Sequence, residues 1–297
     1  MKNNLLFLPL IIITLTLTSC MNDVTKDSNE VEVVPQIQTP APSPTAKIEQ
    51  KVGLTDVAIQ YARPSVRNRV VYGNLVPYNK LWRTGANENS VISFSTSVKI
   101  DETTVPAGKY SIYTIPGVDS WDVILYSDSN NWGLPSKWDE NKVIVKTKVS
   151  SMELPFKVES FQLSIDNVSN NSFTLGIAWD HVYVPVKINL PTADLVMKSI
   201  NEALKTPKSS DLYKAAVYLL QENRELEKAK SWMNQSLEMM EDPKFYQLRQ
   251  QSLIYAALED YENAIAIAKV SLEKSIKAGN SDYEKMNLDS IENWGKM

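Results

Sequence analysis

Apolar residues recur at about every second position from Leu54 to Ile188, and past Pro191 they recur at every third or fourth. The first period turns one face of a strand inward and the second does the same for a helix. A chain that runs through one period and then the other, without interleaving them, is restricted to a β module followed by a helical one. The clearest strand pattern is Ile92-Phe94-Thr96-Val98-Ile100, with Ser93, Ser95, Ser97 and Lys99 on the opposite face. One side of it looks to a core and the other to water.

The alternation begins at Leu54, Val57, Ile59 and Tyr61. It returns at Tyr110 to Ile115, Trp121 to Leu125, Val143 to Val149, Phe161 to Ile165, Phe173 to Trp179 and Val182 to Ile188. Between the runs stand turn formers: Asp101-Glu102, Pro116-Gly117-Val118-Asp119, Ser127 to Asn131, and Asn167 to Asn171. These runs predict an antiparallel β-sandwich, jelly-roll-like, or a flattened barrel. Pro185 predicts an edge position for the last strand, because proline donates nothing to a ladder.

In the helical half, Leu226-Glu227-Lys228-Ala229 and Ser236-Leu237-Glu238 return 35 residues later as Tyr261-Glu262-Asn263-Ala264 and Ser271-Leu272-Glu273. The period is close to that of tetratricopeptide repeats, which the segment resembles without their usual Gly and first Trp. Two roles stay open for it: a concave surface for an extended peptide of a protein partner, or a bundle that braces the sandwich. Trp232, Met233, Met239 and Met240 suit either a binding stripe or a core.

The N-terminus sets the compartment. Lys2 precedes an apolar run from Leu5 to Leu17, and Leu17-Thr18-Ser19-Cys20 closes it with small residues before the only cysteine. This resembles a bacterial lipobox. The run is shorter than the roughly 20 residues of a spanning helix, so the expectation is a signal peptide over 1–19 and acylation of Cys20, with the chain anchored to a membrane and not crossing it. Pro35, Pro40, Pro42 and Pro44 mark residues 20–50 as a tether, able in a polyproline-like state to reach roughly 90 Å at about 3.1 Å per residue. The expected parts are therefore 1–19, 20–50, a β-sandwich over 51–191 and helices over 192–297. The expected location is the cell envelope, facing the periplasm or the cell surface. The net charge of −4 becomes −5 when Lys2 leaves with the signal peptide, which argues against a nucleic-acid partner.

Gly53 to Ile188 resembles the bacterial domain of unknown function 2911 family. The resemblance rests on Arg63-Pro64-Ser65, Leu75-Val76-Pro77-Tyr78, Trp82-Arg83-Thr84-Gly85-Ala86-Asn87-Glu88, Pro106-Ala107-Gly108-Lys109-Tyr110-Ser111-Ile112-Tyr113-Thr114-Ile115-Pro116 and Trp121. Tyr72 replaces the family's more usual Phe before Gly73, and Asn89-Ser90 its more usual Ala-Thr. The resemblance implies a secreted or lipid-anchored globular module, often followed by helical repeats, and brings no activity with it.

The residue inventory excludes several chemistries. A lipidated lone cysteine leaves no thiol nucleophile, disulfide or cysteine-bound zinc. His181 is the only histidine and reads as a turn residue at a strand boundary, and no G-x-S-x-G, Walker, Rossmann or H-E-x-x-H string occurs. Ser127 to Asn131 lacks the spaced carboxylates of a calcium loop. No cofactor and no metal is expected. A two-carboxylate hydrolase of envelope polymers survives as an alternative, with Glu88, Asp122 and Asp128 as its candidates.

Charge distribution points elsewhere. Four of the six arginines, Arg63, Arg67, Arg69 and Arg83, fall within 21 residues, joined by Lys80, and Val57 to Ala86 holds no acid. Tyr61, Tyr72, Tyr78 and Trp82 are interleaved with them. Planar donors beside aromatic faces suit an anionic glycan or a peptide carboxylate, so Arg63, Tyr78, Trp82, Arg83, Asn87 and Glu88 are the candidate ligand-binding residues. The competing reading makes the same residues structural, with Arg83 neutralised by Glu88 across the Gly85 turn and Trp82 in the core. The function expected is binding or scaffolding at the envelope.

Overall fold

The computed structural model describes residue 37 and residues 39–297. The expected signal peptide, Cys20 and the first part of the expected tether lie outside the described residues. Ten strands come first: β1 (Thr45–Val52), β2 (Thr55–Ala62), β3 (Val91–Phe94), β4 (Val98–Ile100), β5 (Thr103–Val105), β6 (Gly108–Pro116), β7 (Ser120–Tyr126), β8 (Val143–Ser150), β9 (Met152–Asp166) and β10 (Ser172–Asn189). Six helices follow: α1 (Thr192–Ala203), α2 (Ser209–Gln221), α3 (Leu226–Glu238), α4 (Phe245–Ala257), α5 (Tyr261–Lys277) and α6 (Ser281–Trp294). The architecture is α+β, a β-rich part followed by a helical segment.

The strands form two antiparallel sheets, ordered β1-β2-β3-β6-β7-β8 and β5-β4-β10-β9. Ile59, Ile92, Ile112, Trp121 and Leu125 of the first share one buried core with Phe161, Leu163, Leu175 and Trp179 of the second. Each such side chain stabilises the fold by about 1.5–3 kcal/mol relative to exposure.

Four sequence expectations are corrected. The first strand starts at Thr45, inside the stretch assigned to the tether. β1 pairs with β2 from Thr45 opposite Ala62 to Val52 opposite Thr55, and as an edge strand it holds by its ladder, with only Ala46, Ile48 and Val52 turned to the core. The best-patterned strand is two strands. β3 belongs to the six-stranded sheet and β4 to the four-stranded one, and Ile92, Phe94, Val98 and Ile100 are all buried because both sheets face the same core.

Conversely, the two runs on either side of His181 are one strand. Register shifts at Asp180, with φ +54°, let β10 bulge and continue. His181 is exposed within that strand and its Nδ1 lies 3.2 Å from the Leu154 carbonyl. Finally, β10 is an inner strand despite Pro185. The proline sits between the last rung to β9 at Tyr183 and the rung to β4 at Asn189, where its missing N–H interrupts neither ladder.

In the helical part α2 packs on α3, α4 on α5 and α5 on α6. α3 and α5 begin 35 residues apart, and equivalent positions do equivalent work. Ala229 and Ala264 are fully buried. Ser236 Oγ donates to the carbonyl of Ser209, the first residue of α2, at 2.7 Å. Ser271 Oγ donates to the carbonyl of Phe245, the first residue of α4, at 2.8 Å. Met233 is fully buried, Trp232 and Met240 pack on the same core, and Met239 is exposed. Glu222, following α2, accepts from the Asn170 and Asn171 side chains at 2.7 and 2.5 Å, fastening the helices to the β9–β10 turn. Gly53, at φ +56°, tucks the β1–β2 turn beneath Thr192, where any side chain would collide with Thr192 Oγ1 and the Asn170 carbonyl. No helix among the described residues is long and apolar enough to cross a membrane.

Candidate functional site

The segment Leu81 to Ser90 continues the edge of β6 beyond the end of β3. Trp82 and Thr114 exchange both backbone hydrogen bonds, at 2.8 and 2.9 Å, and Ile112 N donates to the Ser90 carbonyl at 2.8 Å. Alternation then sends Trp82 inward and Arg83 to the outer face. Trp82 stacks on Trp179, with ring centres 6.0 Å apart and planes at 15°, and meets Trp121 and Phe161 edge to face.

Arg83 does not meet Glu88. Its Nη1 donates to the Asn87 carbonyl at 3.0 Å and lies under Gly133, where a Cβ would approach it to 2.9 Å. The other three clustered arginines behave alike. Arg63 Nε donates to the Phe161 carbonyl, Arg67 Nη2 to the Pro42 carbonyl, and Arg69 to the Val66 and Ser65 carbonyls, at 2.5 to 3.1 Å. No ion pair among the described residues involves an arginine. The acid-free segment therefore uses guanidinium groups to tie main-chain carbonyls of loops and of β9, and their planar fork serves main-chain oxygens.

The turn that Arg83 holds is a strained one. Thr84 is buried at φ +55°, kept there by its Oγ1 donating to Thr114 Oγ1 at 3.0 Å and by Ser90 Oγ donating to its carbonyl at 2.5 Å. Gly85, at φ +145°, passes so close to Ser90 Oγ that a Cβ would sit 2.8 Å from it. Asn87, at φ +58°, donates from Nδ2 to the Ser43 carbonyl at 3.2 Å.

This turn and the segment from Ser127 to Lys142 cover one half of the outer face of the large sheet. Beneath the cover lies a second apolar cluster of Tyr113, Ile124 and Tyr126 with Leu81 and Trp138, in which Tyr126 and Trp138 stack with centres 4.6 Å apart. The other half, over β1, β2 and β3, is bare. There, three hollows of about 690, 270 and 130 Å³ adjoin, the first two sharing Glu49, Ala58, Ser93 and Lys109 and the last two sharing Gln60. Together they make a groove along the strands from Lys51 and Asp56 to Asn87, Glu88 and Trp132. At about 3.4 Å per residue, the span from Lys51 to Thr45 is about 20 Å.

The groove has a small, polar floor, since Ala58 pairs across the ladder with Ser93 and Ser93 with Lys109. Lys47 is paired with Glu49 at 2.6 Å and Lys51 with Asp56 at 2.9 Å. Lys109 is exposed and belongs to no ion pair among the described residues. At the far end Trp132 offers its indole with 69% of its surface exposed. Beside it Asn89 is buried. Its Nδ2 donates to Tyr113 Oη at 2.6 Å and Ser111 Oγ at 3.3 Å, Tyr113 donates to the Gly133 carbonyl at 3.2 Å, and Asn89 Oδ1 has no partner among the described residues. Burial raises the Tyr113 pKa above its ordinary value, opposed by the Asn89 and Asn131 amides, so the phenol is a hydrogen-bond donor at neutral pH.

The six candidate residues thus part company. Asn87 and Glu88 line the narrow end of the groove and Arg83 holds their turn from behind. Arg63 and Trp82 serve the core side, and Tyr78 packs over Gly73 with 37% of its surface exposed. The three candidate acids are not brought to one place as free carboxylates. Asp122 pairs with Lys146 and Asp128 with Lys142, each at 3.0 Å, and the Lys142 hydrogen bond holds the Asp128 carboxyl below its usual range. No group of three or more His, Cys, Asp or Glu that would hold a metal occurs among the described residues. Lys109, Asn89 and Trp132 were not legible as site residues. The one available signal was a tryptophan standing directly after the Asn130-Asn131 turn formers, an apolar ring where turn chemistry calls for polar residues.

A family model described as Protein of unknown function (DUF2911) matches residues 43–188, from just before β1 to the end of β10. The chain carries a DUF2911 domain. No curated protein and no solved structure matches the chain.

Proposed function

We propose that this DUF2911 domain is a binding module whose outer groove takes an extended, anionic glycan of the cell envelope, while a lipid on Cys20 keeps the chain at the membrane. The observation that carries the reading is the groove itself: three adjoining hollows over a floor of Ala58 and Ser93, with the Lys109 cation, in no ion pair among the described residues, along it and the open Trp132 ring at its end. A bare aromatic face packs against the apolar side of a sugar ring, and a lysine ammonium serves a carboxylate substituent. The hydrolase alternative draws less support. Glu88 is at the groove but Asp122 and Asp128 are occupied by lysines, whereas hydrolysis needs two acids across the scissile bond.

Affinity electrophoresis of the full chain tests the reading, with polygalacturonate as the acidic polymer and dextran as the neutral one. The acidic polymer should retard the protein, Trp132→Ala should abolish the retardation and Lys109→Ala should weaken it, all at unchanged Tm. Retardation by polygalacturonate that survives Trp132→Ala, or none at all, overturns the groove. The anchor is tested separately: Cys20→Ser should release the protein from membranes, and unchanged membrane association rejects it.

A further inference from the structure

Among the described residues, an arginine nitrogen that is buried without a partner lies in the helical half. Arg249, on α4, has an Nη1 sealed from solvent with no acceptor among the described residues, and its guanidinium enters no ion pair there. Its neighbours are aromatic. The guanidinium carbon lies 5.8 Å from the ring centre of Trp294 on α6. Tyr283, also on α6, is close enough to act electrostatically on Arg249, and its ring meets Phe245 edge to face at 4.9 Å. Burial, with Tyr283 and Tyr246 nearby, pushes the Tyr213 hydroxyl on α2 up to about 12. The Tyr213 phenol therefore stays protonated at neutral pH and adds no negative charge to the cluster. Tyr246, whose ring meets Phe245 edge to face at 5.6 Å, is 42% exposed at the rim of the cluster.

A guanidinium nitrogen withdrawn from water without an acceptor costs free energy, and an arriving anion would recover it. One charge matches a monoanion, and the parallel N–H groups of arginine match a planar carboxylate at two points. Aromatic walls strengthen that contact by excluding water. We propose that Arg249 anchors a carboxylate-binding site between α4 and α6, which takes a terminal or side-chain carboxylate of a peptide. The site is independent of the sheet groove, so either can fail alone.

The test follows the indole N–H resonance of Trp294, assigned by its loss in Trp294→Phe, in the full chain. Acetyl-diglycine supplies a terminal carboxylate, acetyl-aspartyl-glycinamide a side-chain carboxylate, and acetyl-diglycinamide neither. At least one of the first two should shift the resonance saturably, the lower half-saturation naming the source, and the amide should not. Arg249→Met should abolish the shift, and Arg249→Lys should weaken binding roughly tenfold or more by keeping charge without the fork. If Arg249→Met does not fold, Arg249→Lys alone decides. A shift with the amide, a shift that persists in the folded Met variant, unchanged affinity in the Lys variant, or no saturable shift with either carboxylate rejects the site. Tighter binding of inorganic phosphate than of both carboxylates rejects the assignment to a carboxylate.

Discussion

The arginines of the β half and the half-buried Arg249 of the helical half meet the same requirement in opposite ways. Arg63, Arg67, Arg69 and Arg83 have carbonyl oxygens within reach because they lie on long connections, where main-chain acceptors are left over from the sheets. Arg249 lies within a helix, where the carbonyls are consumed by the helix itself, and its flanks are rings. A cation among irregular backbone becomes a fastener. The same cation on a helix, with no acid beside it, is left with capacity to bind. Residue type is thus a poor guide to function until the local supply of acceptors is known.

Substitutions in the two halves sharpen this contrast. The largest effect belongs to the aromatic core behind the arginine-tied loops. Trp179→Ala should lower stability by about 3–5 kcal/mol in urea unfolding, because it empties the centre of the stack with Trp82 and Phe161. Arg63→Met should cost about 1.5–3 kcal/mol by the same measurement, since it removes a charged donor from the Phe161 carbonyl. Arg249→Met should be neutral or stabilising, because no hydrogen bond to Nη1 is lost there. If both arginine variants lose stability alike, the contrast is broken. Within the helices, Ser236→Ala should cost about 1 kcal/mol in thermal or urea unfolding by releasing the first turn of α2, and Ser271→Ala should cost more, because it releases the first turn of α4 and also strands the buried Asn287 amide.

The smallest effect is one of pH. Asp242, between α3 and α4, is held at a pKa of about 2 by hydrogen bonds from Lys244 and Lys274. A carboxyl lowered in the folded state lends stability that is complete above its unfolded value near 4 and is lost as pH falls through about 2. Asp242→Asn should therefore flatten the acid limb of a Tm-against-pH curve over that window and leave its alkaline side alone. An unaltered acid limb would remove the pair from the account.

How far the primary structure could be read differs by element. Ile92, Phe94, Val98 and Ile100 announced an inward face, yet alternation is blind to which sheet a strand joins, so the passage from β3 to β4 was invisible. β1 was hidden for the opposite reason: an edge strand needs few apolar residues, and Thr45 to Val52 looks like the tether before it. The 35-residue echo located Ala229 with Ala264 and Ser236 with Ser271 as equivalent positions, because helix packing repeats the same short list of small residues. At the candidate site, Asn87 and Glu88 were marked by their place in a turn-rich motif. Lys109 and Ser93 come together only through pairing between strands far apart in the chain.

Order along the chain, the change from strands to helices at Pro191, and the inward residues of most elements follow from local periodicity, which needs no partner to be expressed. The groove, the cover beside it, the tie between Arg63 and the Phe161 carbonyl, and the Arg249 nitrogen without a partner among the described residues do not. Each depends on which groups from distant segments arrive within about 3 Å of one another. Hydrogen-bond satisfaction is a property of that assembled neighbourhood, and no single stretch of residues carries it.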